Sequence, residues 1–220
     1  MTTLVDGLEN YKYSEHYPTS TTQLESNGRD LLGMIDRYKQ NPGKTELTEA
    51  KQFLIDIETW KANCLHDRMG NAERNSDKAV WNALYAAMQA TTDEMRLLAI
   101  MDLHGFGKSV DPETGLRRGK LASSVLRFLW PEEWGVVDWR NQAMFLFLGK
   151  HQGNIDAAID EARISNANQM RKDFDIMNEK ATCELNGHYR KLAKAESALP
   201  RAADVDMAIF GLSLMAWTMP

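Results

Sequence analysis

The chain has 220 residues, 43% of them apolar and 26% charged, a composition that excludes a disordered or fibrous protein. Its 26 Lys and Arg against 31 Asp and Glu leave a net charge of -5, which excludes a wholly basic nucleic-acid coat but not a local basic site. Two cysteines, Cys64 and Cys183, are too few for a disulfide scaffold, a four-cysteine iron–sulfur cluster or an all-cysteine zinc site.

Residues 1–20 mix Tyr11, Tyr13 and Tyr17 with Ser, Thr and Pro18, follow no helical period and read as an N-terminal arm. Residues 21–220 read as one all-α domain of two closely packed helical lobes. Leu31, Ile35 and Tyr38 recur at helical spacing before the Asn41-Pro42-Gly43 break, and Phe53, Ile57, Trp60 and Cys64 do so before Gly70. Trp81, Leu84, Tyr85 and Met88 open a third helix, and Met95, Leu98 and Met101 belong to a fourth. After a Gly- and Pro-containing stretch from Gly105 to Gly119, Leu121, Val125 and Phe128 form a short helix that Trp130-Pro131 ends, and Asp138 opens the next. Ile155, Ala158, Ile159 and Ala162 give a further face, Phe174, Met177, Ala181 and Leu185 continue at the same spacing, and Met207, Phe210, Leu214 and Trp217 close the chain. These stripes read as core packing.

No stretch approaches the ~20 apolar residues of a membrane span, and the amino terminus lacks an apolar core, so a cytoplasmic protein without a membrane partner is expected. The histidines, His16, His66, His104, His151 and His188, are scattered. Cys64-x-His66 is the nearest approach to metal-ligand spacing and has no second pair to complete it, so neither a metal nor a cofactor is expected.

Chemistry concentrates between residues 101 and 141. Leu103-His104-Gly105-Phe106-Gly107 joins two helices, and such glycines turn the backbone tightly and leave N–H groups for a phosphate, although the same turn also serves as a plain connector. Gly119-Lys120-Leu121-Ala122-Ser123 then starts a helix, and Val136-Val137-Asp138 precedes another. In this order the motifs resemble those of the helix-hairpin-helix DNA glycosylase superfamily over Leu103 to Asn141. The ending, from Leu199-Pro200-Arg201 to Phe210, is similar to that of uncharacterised members without an iron–sulfur cluster.

The resemblance implies a helix-hairpin-helix bundle that binds DNA as a monomer and excises a flipped, modified base. It matches Asp138 to the family's essential carboxylate and Lys120, eighteen positions upstream, to the lysine that serves as nucleophile in bifunctional members. A carboxylate beside C1′ stabilises the cation that forms as an N-glycosidic bond breaks, and an amine can attack C1′ to give a Schiff base. DNA contacts would come from Gly105, Phe106, Gly107, Lys108, Arg117 and Arg118, and from Gly119, Arg127 and Arg140. Trp130, Trp134 and Trp139 either stack the flipped base or pack the core.

The chain departs from the pattern by eleven additional residues, Lys108 to Arg118, in the hairpin, and His104 stands where the family has Pro. Lys108 is thereby a rival to Lys120. Asp138 also suits a plain helix cap and Lys120 a phosphate contact. Two other functions fit the same motifs: modification of a base without excision, and DNA binding without catalysis.

Overall fold

The computed structural model describes residues 1–13, 20–63, 70–107, 119–174 and 178–217. These form eleven α-helices and one 3-10 turn, with no strand among the described residues. In chain order they are α1 (Leu4–Lys12), α2 (Thr21–Tyr38), α3 (Lys44–Asn63), the turn Ala72–Arg74, α4 (Asp77–Gln89) and α5 (Asp93–Met101). Then follow α6 (Lys120–Leu129), α7 (Trp139–Lys150), α8 (Ile155–Ile164), α9 (Ala167–Phe174), α10 (Glu179–Ala195) and α11 (Ala202–Ala216). The all-α expectation holds. Lys108, Arg117 and Arg118, along with His16, Cys64, His66 and Met177, lie outside the described residues.

Local chemistry sets many of the helix starts. Ser76, Thr92, Asn154 and Asn178 each accept a backbone N–H from the first turn of the helix they precede, satisfying a donor that otherwise has no partner. Asn178 therefore begins a new helix inside the Phe174-to-Leu185 stripe, so that stripe is shared between α9 and α10 rather than lying on one helix.

The amino terminus corrects the sequence reading: residues 4–12 are helical. Thr3 and Asp6 form a reciprocal capping box, with Thr3 N–H donating to Asp6 Oδ2 at 2.7 Å and Asp6 N–H donating to Thr3 Oγ1 at 3.2 Å. Leu4, Leu8 and Tyr11 lie on one face of α1, which packs on α11. The two backbones nearly touch. A Cβ on Gly211 would sit 1.8 Å from the Gly7 carbonyl oxygen, so only glycine allows this crossing, and Asn10 Nδ2 donates to the Gly211 carbonyl at 2.9 Å.

Two apolar cores result. In the first, α2, α3 and α5 pack against α6, with α4 completing the layer. In the second, α1, α7, α8 and α10 surround α11. The central helices are enclosed almost all round: Ala122 to Leu129 of α6 and Ala202 to Ile209 of α11 are all buried. Each nevertheless carries charge inside, Arg127 on α6 and Asp204 and Asp206 on α11. Buried charges persist only when they are partnered or neutralised, so these residues mark where the molecule commits free energy to something besides packing.

Candidate functional site

The chain crosses from one core to the other between Val136, which packs in the first, and Val137, which packs in the second. This crossing segment is held by buried side chains from three helices. Gly135 N–H donates to Asn186 Oδ1 at 3.1 Å, Val136 N–H to Asp206 Oδ2 at 2.8 Å, and Val137 N–H to Ser123 Oγ at 3.1 Å. Tyr189 donates its hydroxyl to the Val136 carbonyl at 2.9 Å, and Asn141 Nδ2 donates to the Tyr189 oxygen at 2.8 Å. An extended segment with no ladder partner needs such acceptors, because a buried amide left unpaired costs about 1–3 kcal/mol.

Asp138 follows directly and caps α7: its Oδ1 accepts Arg140 N–H at 3.0 Å. Ser123 links this point to the start of α6, since its hydroxyl donates to the Lys120 carbonyl at 2.8 Å while accepting from Val137. The backbones of Lys120 and Val137, the residue before Asp138, are thus bridged by one serine.

At the seam between the cores lies a cavity enclosing about 60 Å³. Its apolar wall is made by Tyr11, Trp60, Val136, Met207 and Phe210, and its polar groups come from Lys61, Arg127, Asp138, Arg140 and Asp206. Of the residues expected from sequence, Asp138, Arg127 and Arg140 are brought together here; Lys120 is not among the lining residues. Lys61, Asp206, Tyr11, Trp60 and Phe210 were not singled out as site residues by sequence reasoning. For Asp206 a signal existed, an acidic residue inside an otherwise apolar helix; for Lys61 none did.

The cavity's charges are in different states. Arg127, 1% exposed, ion-pairs with Glu25 at 2.7 Å and stacks on Phe128 at 4.5 Å. Enclosed in this way it faces the cavity and has no outer surface to offer to a DNA strand. Arg140, 9% exposed, lies over Trp139 at 4.5 Å and near Phe210 at 5.9 Å, and its Nε has no acceptor among the described residues. Burial lowers its pKa below the usual arginine value, while Asp138 opposes that shift and Arg171 adds to it. Burial drives the Asp206 carboxyl up to about 7, against the opposing pull of Arg127, the Val136 N–H, Lys61 and Asn141. Tyr189, wholly buried beside Asp206, is raised well above the usual phenol value by desolvation.

The remaining expected site residues lie elsewhere. Gly105, at φ +81, passes so close to Asn71 that a Cβ would sit 2.2 Å from its Cγ, and Phe106 is fully buried in the first core. His104 and Phe106 spend their backbone N–H groups inside the protein, on Asn75 Oδ1 at 2.8 Å and the Leu103 carbonyl at 3.1 Å. Gly107 is buried against Met101, and Gly119 packs on Thr182 of α10. Trp134 is fully buried, Trp130 carries Arg96 over its ring at 4.5 Å, and Trp139 packs against Trp217 at 5.5 Å. None of these three tryptophans is among the residues lining the cavity.

No group of His, Cys, Asp and Glu among the described residues has the arrangement of a metal site, and no described helix is long and apolar enough to cross a membrane. Comparison with known protein families, with characterised proteins and with solved structures finds no match to this chain.

Proposed function

We propose that this protein is a DNA glycosylase-like enzyme that accepts a modified base, flipped from the duplex, and cleaves its N-glycosidic bond without a metal or cofactor. The observation that carries the reading is the company Asp138 keeps. Its carboxylate borders an aromatic-walled cavity at the seam of two helical cores, beside the buried cation Arg140. Breaking the bond leaves positive character on the sugar, which a fixed carboxylate stabilises, and an aromatic wall suits the face of an unstacked base.

Arg140 has the chemistry for the phosphate next to the flipped nucleotide: a guanidinium already desolvated, stacked and with an open donor. Lys120, tied to the Asp138 segment through Ser123, is the amine that the motif resemblance suggests for Schiff-base chemistry. The acidic overall charge predicts weak nonspecific DNA affinity, so binding would rest on these local cations.

The test is incubation with single- and double-stranded oligonucleotides carrying a panel of modified bases, with released base and residual strand both measured by mass spectrometry. Wild type is expected to release one of the bases, and Asp138→Asn to lower that rate by on the order of 10²-fold or more. A base retained in the strand at altered mass overturns excision in favour of modification. Binding without any change to the strand overturns both and leaves a DNA-binding module.

A further inference from the structure

The cavity contains an amine that no motif announced. Lys61, in the last turn of α3, borders the same cavity as Asp138, whereas Lys120 does not appear among its lining residues. Lys61 is half-buried, and its Nζ lies 6.0 Å from the ring centroid of its neighbour Trp60, the outer limit of a cation–π contact. Among the described residues its Nζ forms no ion pair and no side-chain hydrogen bond. Arg127 and Arg201 are placed differently, both committed to Glu25. Lys61 is held near the carboxyl of Asp206 and the guanidinium of Arg127 without being bound to an acidic side chain, so its amine remains free to meet a ligand.

We infer that Lys61, rather than Lys120, is the amine that reacts with C1′ of the deoxyribose in this cavity. This rests on the reading of the cavity as the site that takes up a nucleotide of DNA. With a base attached, the ammonium of Lys61 first gives its proton to water or to the Asp138 carboxylate. Its lone pair then forms the C1′–N bond while the glycosidic electrons leave with the base, which takes up a proton. At a site already lacking its base, the amine adds to the C1′ aldehyde, the oxygen departs as water and a protonated imine joins protein to DNA.

Added cyanoborohydride delivers hydride to that imine carbon and fixes the link as a secondary amine. The probe is therefore a duplex with one preformed abasic site, which needs no knowledge of the natural base. The full chain is mixed with it and cyanoborohydride, the adduct is resolved by denaturing electrophoresis, and the modified lysine is located by peptide mass spectrometry. DNA binding is measured on the same duplex by gel shift. The expected result is an adduct on Lys61, lost in Lys61→Arg and retained in Lys120→Ala. Arginine keeps the charge and its hydrogen-bonding reach but forms no imine, so loss of the adduct with binding intact separates nucleophile from simple cation. Lys61→Gln, a good helix former, checks that the loss follows the amine and not a disturbed α3.

An adduct mapping to Lys120 or another lysine overturns the inference and leaves the glycosylase reading standing. Binding without any adduct overturns it too, and points to an enzyme that relies on Asp138 alone. Absence of both binding and adduct overturns the inference together with the reading on which it rests.

Discussion

Asp138 has two tasks on one carboxylate, and substitution can separate them. Its Oδ1 caps α7 while the residue borders the cavity. Asparagine caps a helix about as well as aspartate, whereas alanine costs about 1 kcal/mol. Asp138→Asn is therefore expected to match the wild-type urea midpoint, with Asp138→Ala about 1 kcal/mol less stable. An Asn variant as unstable as the Ala variant would mean that the charge, and not the cap, holds this helix start. Asp206 makes a different prediction. Its carboxyl, ordinarily near 3.8, is raised to about 7 by burial, so in that interval the folded protein keeps a proton that the unfolded chain has lost. Stability from this group is full below the ordinary value, declines as pH rises through that interval and levels off above it. Urea denaturation across the range is expected to show wild type losing stability relative to Asp206→Asn up to about pH 7 and no further change beyond. A difference independent of pH would show that folding leaves the Asp206 carboxyl near its ordinary value.

At the scale of elements, the docking of α1 on α11 depends on two glycines. A methyl group at Gly211 meets the Gly7 carbonyl oxygen at 1.8 Å, so the helices must separate. Gly211→Ala is expected to cost about 1–3 kcal/mol in chemical denaturation, the usual cost of overpacking. Gly187, also in a helix, has no atom within 4 Å of its would-be Cβ, and alanine there should stabilise by up to about 1 kcal/mol. Equal effects at the two positions would mean that the close crossing is unimportant. Most elements were legible because their apolar residues recur at helical spacing between breakers. The first helix was missed although Leu4, Leu8 and Tyr11 recur at the same spacing as Leu31, Ile35 and Tyr38, because it was read together with the Tyr-, Ser- and Thr-containing residues up to position 20 and the Thr3–Asp6 capping box at its start was passed over. The stripe from Phe174 to Leu185 misled for the opposite reason, since its spacing continues across the start that Asn178 imposes.

Across the whole molecule the two cores are joined by charge as well as by the cavity. Arg127 on α6 pairs with Glu25 on α2 at 2.7 Å, Glu25 pairs with Arg201 at 2.8 Å, and Arg201 grips Asp204 of α11 through two nitrogens at 2.9 and 2.6 Å. The Arg190–Asp93 pair joins α10 to α5. Removing Glu25 leaves Arg127, 1% exposed, without its counter-charge. Glu25→Ala is expected to destabilise by about 3–5 kcal/mol, and replacing Arg127 with Met in the same chain to restore much of that loss. Urea denaturation of the single and double variants tests this. A single variant near wild-type stability would show that water reaches Arg127 and that the ladder does not hold the cores together.

The all-helical architecture, most of the core and the place of Asp138 at the head of a helix follow from local patterning in the chain, because periodicity, caps and breakers act within a few residues of one another. Which of the named residues meet was settled by the packing of distant helices. It brought Asp138, Arg127 and Arg140 to one cavity and left Lys120 off its wall. It buried Phe106 and Trp134 in a core and added Lys61 and Asp206 from helices far away in the chain. Those placements depend on how α6 and α11 pack and where the chain crosses between cores. They are set by contacts between residues widely separated in sequence, which no local pattern records.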